Sequence, residues 1–215
     1  MRNVKTFVPQ CLLACTLFAH GAAQAVPSYH VTVNTAAYTG QALMDFTFLA
    51  NAGATPATAV LNNFIGAFGP EFDRSTGVIG LVPGQVSLGN QGGGSYFTQW
   101  VSLGGLFGFD VHFDGAYAST KNIDASQFNA TLYSGDFGGY IGADGSFAAF
   151  ELLPLSNGSP GQVLVSSPNG MGTVSDVPEP SGLFLGGLAI LGVVQRRKHR
   201  RVQASGHAPA IGHDM

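Results

Sequence analysis

Through the middle of the chain apolar residues recur at every second position, and that period dictates extended strands with two unlike faces. In residues 106–113 (LFGFDVHF), Phe107, Phe109, Val111 and Phe113 share one face, while Gly108, Asp110 and His112 take the other. In residues 43–49 (LMDFTFL), Met44, Phe46 and Phe48 point one way and Asp45 and Thr47 the opposite way. Tyr29, Val31 and Val33 repeat the pattern in residues 29–35 (YHVTVNT). No long segment between residues 26 and 176 carries the 3.6-residue stripe of an amphipathic helix.

Six further strands are expected, at residues 57–65, 78–82, 96–103, 127–133, 147–153 and 162–166. Between them lie turn signals: Asn51-Ala52-Gly53, residues 89–94 (GNQGGG), Asp114-Gly115, Asp144-Gly145 and Asn157-Gly158. Thirty-one glycines in 215 residues supply the punctuation that short strands need, and sixteen phenylalanines supply the core. Eight or nine strands at this spacing predict an all-β fold, a single β-sandwich of jelly-roll-like design.

The two ends read differently. Arg2 and Lys5 precede an apolar stretch at residues 11–19 (CLLACTLFA), and Ala23-Gln24-Ala25 follows with small residues where a signal peptidase needs them. This is the layout of a secretory signal peptide over residues 1–25, cleaved after Ala25. A competing lipoprotein box, Leu12-Leu13-Ala14-Cys15, is weakened because Pro9 and Gln10 interrupt the stretch before it and apolar residues continue past Cys15. Cleavage removes Cys11 and Cys15 and leaves the mature chain without a thiol.

At the other end Pro178-Glu179-Pro180 leads into the apolar run 182–194 (GLFLGGLAILGVV), followed by Arg196, Arg197, Lys198, Arg200 and Arg201. The prolines hold the backbone extended, as a processing enzyme's cleft requires. The apolar run can enter a bilayer as a short transmembrane helix, and the basic cluster stops it on the cytoplasmic side of the inner membrane. Thirteen residues are few for a span of ~17–25, so the flanking arginines must snorkel. The expected organisation is a signal peptide at 1–25, a β-sandwich at 26–176, a sorting signal at 177–201 and a polar tail at 202–215.

This C-terminal order resembles the PEP-CTERM sorting signal of Gram-negative bacteria. The resemblance implies recognition by an exosortase, a membrane-embedded cysteine transpeptidase for which the tag is substrate. It also implies a host that makes exopolysaccharide and places such proteins in its envelope or extracellular matrix, as in biofilm. The stretches YHVTVNT, DFTF (residues 45–48) and FDVHF (residues 109–113) resemble a group of exported proteins with the same tag. That second likeness bears on fold and export and supplies no activity.

Between residues 26 and 176 stand ten acids (Asp45, Glu71, Asp73, Asp110, Asp114, Asp124, Asp136, Asp144, Glu151 and Asp176) against two bases, Arg74 and Lys121. A domain of net charge −8 repels phosphate backbones, so nucleic acid is not an expected partner.

Chemistry-bearing patterns are sparse. No G-x-S-x-G elbow occurs, and only His30 and His112 fall in the domain. The alternation of Asp110, His112 and Asp114 puts three potential metal ligands on one strand face, although a solvated outer face is the favoured reading of it. Asp136 and Asp144 beside glycine-rich turns have the chemistry for calcium but lack its loop spacing. Asp110 and Glu151 are a conceivable pair of glycosidase acids. Trp100, Tyr96 and Tyr140 are either core aromatics or a sugar-stacking platform. The expected role is therefore structural or interactive, not enzymatic and without cofactor. A carbohydrate-binding module is the alternative, and a secreted hydrolase a more distant one.

Overall fold

A computed structural model describes residues 27–177, and these form an all-β sandwich. The signal peptide with Ala23, Ala25 and Cys15 lies outside the described residues. So do Pro178, Glu179 and Pro180, the apolar run, the basic cluster and the tail.

Twelve strands follow one another: β1 (Ser28–Asn34), β2 (Gln41–Ala50), β3 (Ala57–Ile65), β4 (Phe68–Arg74), β5 (Ile79–Gly80), β6 (Val86–Gly89), β7 (Gly94–Ser102), β8 (Leu106–Gly115), β9 (Ser126–Ser134), β10 (Ala148–Leu153), β11 (Gln162–Ser166) and β12 (Gly172–Asp176). They build two six-stranded antiparallel sheets, ordered β12-β1-β8-β3-β6-β5 and β11-β10-β9-β2-β7-β4. The nested pairs β1:β8, β2:β7 and β3:β6 alternate between the sheets. That interleaving is the jelly-roll order. Two additions distinguish this domain. The strands β9, β10 and β11 widen the second sheet beside β2, and β12 returns to the first sheet beside β1.

The alternation seen in the sequence fills the space between the sheets. Tyr29, Val31 and Val33 of β1, Phe107, Phe109, Val111 and Phe113 of β8, and Met44, Phe46 and Phe48 of β2 are all buried. Phe46 is the hub. Its ring lies edge-on to Phe109 at 5.1 Å and Phe64 at 6.3 Å, and near-parallel to Phe97 at 6.3 Å and Phe128 at 6.4 Å. Partners from both sheets thus meet on one side chain, in the edge-to-face and offset geometries that ring quadrupoles favour.

One buried polar group also ties the sheets together. Asn90, read in the sequence as part of a glycine-rich turn, is 4% exposed. Its amide nitrogen donates to the Thr55 carbonyl at 2.9 Å and to Ser126 Oγ at 2.7 Å, while its Oδ1 accepts the Ala57 N–H at 2.8 Å. The start of β3 in one sheet is thereby joined to the start of β9 in the other.

Three strands were not expected, and each has a physical reason. The strand β4 contains Pro70 and runs mostly exposed along a sheet edge with two register shifts, so it shows no alternation. At the opposite edge of the other sheet, β12 is five residues long and packs only Val174 against the core. With four residues, β6 is too short for a period to show. The expected strand at 78–82 shrinks to Ile79–Gly80. By contrast Asn157 and Gly158, at φ of +50° and +80°, close a tight turn with reciprocal hydrogen bonds between Ser156 and Ser159, as the Asn-Gly pair requires.

Truncating the hub should be costly: Phe46→Ala is expected to lower unfolding free energy by about 3–5 kcal/mol, read from the shift of the urea midpoint. Asn90→Leu should cost about 1–3 kcal/mol, because the buried Ala57 N–H loses its acceptor. An unchanged midpoint in either variant would contradict this account of the core.

Candidate functional site

The outward face of the first sheet carries the polar residues singled out in the sequence. Asp110 of β8 stands opposite His30 of β1 and Asn62 of β3. His30 Nδ1 lies 2.5 Å from Asp110 Oδ1, and Asn63 Nδ2 donates to Asp110 Oδ2 at 2.6 Å. A bulge in β3 between Asn62 and Ile65, with Asn63 at φ +51°, aims that amide at the carboxylate. Both oxygens of Asp110 are thus occupied by neighbours from adjacent strands. His112 Nε2 lies 3.7 Å from Asp114 Oδ2, a separate and looser pair. Asp110, His112 and Asp114 share a face as expected. Among the described residues, no three His, Cys, Asp or Glu side chains are grouped to hold a metal ion.

The other acidic candidates are also placed. Asp136 Oδ1 accepts Ser134 Oγ at 2.6 Å and the Gly138 N–H at 2.9 Å. Those bonds, the serine's first, hold its carboxyl below the ordinary range. It is the lock of its own turn. Asp110 projects from the outer face of the first sheet, whereas Glu151 is an exposed residue of β10 in the second. The two acids therefore stand on opposite sides of the sandwich, and a glycosidase pair needs carboxyls within about 5–10 Å of each other.

The outward face of the second sheet is different in character. Leu43 points away from the inter-sheet core yet is fully buried. Its cross-strand neighbours are Trp100 on β7 and Tyr133 on β9. Phe72 of β4 meets Trp100 edge-on at 5.6 Å. Phe137, in the loop after β9, lies 5.5 Å from Phe72 and 5.3 Å from Tyr133. Tyr140 stacks on Tyr133 at 5.1 Å and 29°. Five rings in linked contact thus surround a buried leucine.

The loop is built to hold this arrangement. Phe137 sits at φ +58°, its N–H bonded to the Ser134 carbonyl, while Ser134 Oγ accepts the Gly139 N–H. Gly135 passes so close to the indole that a Cβ there would meet Trp100 Cζ3 at 3.0 Å. Phe72, Phe137 and Tyr140 nevertheless remain 46%, 45% and 43% exposed. Tyr96, 38% exposed, lies on the same face further along β7, and its hydroxyl donates to Asp73 Oδ2 at 2.8 Å.

Asp45 lies on this face between Thr98 and Thr131. Thr98 Oγ1 donates to its Oδ1 at 2.6 Å. Burial pushes the Asp45 carboxyl up, and the Thr98 bond only partly opposes that. Of the three aromatics named from the sequence, Trp100 and Tyr140 join one cluster and Tyr96 extends the same face. None belongs to the core between the sheets. Phe72, Tyr133 and Phe137 were missed; the run Asp-Phe-Gly-Gly-Tyr at residues 136–140 was the available sign, a glycine-rich turn carrying two rings.

The described domain is thus a jelly-roll sandwich with a polar face on one sheet and an aromatic face on the other. Its last strand is followed, after Val177, by the Pro-Glu-Pro segment. Residues 176–201 match the family model of the PEP-CTERM protein-sorting motif. That motif marks an exported, exosortase-sorted extracellular protein that is transiently anchored in the membrane before processing. No curated protein and no solved structure matches the chain.

Asp45 offers a direct test of the aromatic face's electrostatics. A carboxyl whose folded pKa exceeds its unfolded value of 3.8 favours folding when protonated. That contribution is complete below the unfolded value and is lost as pH rises through the folded one. Asp45→Asn is therefore expected to melt above the parent protein at pH 7, with the gap closing on acidification toward pH 3.8. A variant that melts below the parent at pH 7 would contradict the assignment of burial as the dominant cause.

Proposed function

We propose that the β domain is a structural or interaction module of the cell envelope or extracellular matrix, associated with exopolysaccharide and biofilm, and not an enzyme. The observation that carries this reading is the sorting motif at residues 176–201, which begins where the last strand of a compact domain ends. A chain made this way delivers one folded unit to the outside of the inner membrane and hands its C-terminal segment to the exosortase. The acidic surface fits an extracellular role and disfavours nucleic acid.

A second reading, a carbohydrate-binding module, is favoured by a specific observation. Trp100, Tyr96 and Tyr140 occupy the outward face of the second sheet, and Tyr96 and Tyr140 are open to a ligand.

Fractionation of an exosortase-bearing host tests the sorting reading. The intact protein should be exported and lose its C-terminal segment. A chain lacking residues 178–201 should be exported yet escape membrane retention and exosortase processing. Identical processing and distribution of the two would overturn the reading, as would full-length protein found in the cytoplasm.

A further inference from the structure

The surface of the domain is unevenly apolar. Among the described residues, exposed large apolar side chains such as Ile79, Leu106 and Ile123 stand apart from any ring cluster, which is ordinary. The face formed by Phe72, Trp100, Tyr133, Phe137 and Tyr140 is different, because its rings touch one another and three stay open to solvent. Contiguous exposed aromatics on a folded protein mark a binding surface.

We infer that this aromatic face of the second sheet binds a glycan chain free of acidic groups, either neutral or amine-bearing. The inference rests on the matrix-interaction reading above and assigns the site and the ligand class within it.

Three observations select this occupant. First, ring chemistry: a π-face is negative and its edge positive. The C–H face of a pyranose presents positive hydrogens to it, and a protonated amine is drawn to the same face. Second, extent: the cluster reaches from Phe72 on β4, across β7 and β2, to Tyr133 on β9. The linked ring centroids step 5.5, 5.3 and 5.1 Å from Phe72 through Phe137 and Tyr133 to Tyr140, so the face accommodates a chain and not a single sugar.

Third, charge: Glu71 and Asp73 lie on the strand that carries Phe72 and Asp136 on the loop that carries Phe137, and the nearby base Arg74 is already paired with Glu71. Uronate, sulfate or phosphate groups would be repelled. Hydroxyl and amine hydrogens find acceptors instead. The same carboxylates disfavour a second copy of this chain, which would bring like charges together, and an anionic lipid surface.

The loop supports the inference because it is fixed before any ligand arrives. The bonds of Ser134, Asp136 and Gly138 set Phe137 in place, and the close pass of Gly135 over Trp100 seats the loop on the sheet. Pre-set rings lose little freedom on binding. Asp45, retained on this face although burial disfavours its charge, belongs to the same picture.

The test is affinity electrophoresis of the protein purified after export, in gels containing a β-glucan, a mannan, a xylan, chitosan, alginate or polygalacturonate. Retardation is expected in at least one of the first four gels and in neither of the last two. Phe137→Ala and Tyr140→Ala should each weaken it by about tenfold, the scale of one aromatic anchor. Ile79→Ala, on the other sheet, should leave it unchanged. Both ring variants should keep the parent circular dichroism spectrum, since these side chains are exposed; Tyr140→Phe, which keeps the ring, should retain binding if either truncation disturbs folding.

No retardation in any gel, retardation by either acidic polymer, or equal retardation of the ring variants overturns the inference. So does a dimer, or binding to phosphatidylglycerol vesicles, that the ring truncations abolish in the absence of glycan retardation. The fractionation result does not depend on these rings, so a failure here leaves the sorting reading intact, and a failure there is visible without any glycan.

Discussion

Everything in this domain is arranged around the phenylalanine layer between the sheets. Among the described residues nine phenylalanines are fully buried there, contributed by β2, β7, β8, β9, β10 and the turn before β10. Each ring is held by a strand whose next residue must face outward, so filling the layer fixes the register of every long strand at once. Phe46 shows the coupling most clearly, since it is packed by rings from both sheets. The outer faces inherit their positions from this layer and are free in chemistry alone.

The two outer faces use that freedom in opposite ways. On the first sheet His30, Asp110 and Asn63 satisfy one another across three strands, which leaves a quiet polar surface. On the second sheet Leu43 and five rings build a second, smaller apolar cluster, and Asp45 stands on the same face at some cost to stability. A jelly roll is a scaffold that many functions share, so any function must be argued from such a face and not from the fold.

The ends of the domain suit an exported and sorted chain. The first and last strands are neighbours, and the Val177 N–H donates to the Ser28 carbonyl at 2.8 Å. The chain therefore enters and leaves the sandwich side by side, with Val177 the last residue before Pro178. The pairing also gives β1 a partner on its outer side, where an unpaired edge would invite aggregation during export.

The long inner strands were legible from local pattern. β3 falls on the expected residues, as does the short edge strand β11, and the buried faces of β1, β2 and β8 are those the alternation named. The edge strands β4 and β12 were not, because β4 holds Pro70 and is mostly exposed, and β12 packs only Val174 against the core. Nor was the aromatic site. Phe72, Trp100, Tyr133, Phe137 and Tyr140 are scattered over 69 positions, and β2 lies between the strands that bring them together.

By itself, then, the sequence determined the all-β class, the inward faces and the sorting segment, since each depends on neighbours within a few residues. Tertiary structure alone decided that Asp110 and Glu151 stand on opposite sides, that Asn90 joins the sheets, and that rings from β4, β7, β9 and one loop share a surface. Those relations depend on which strands lie side by side, and strand order is set by packing two whole sheets against each other.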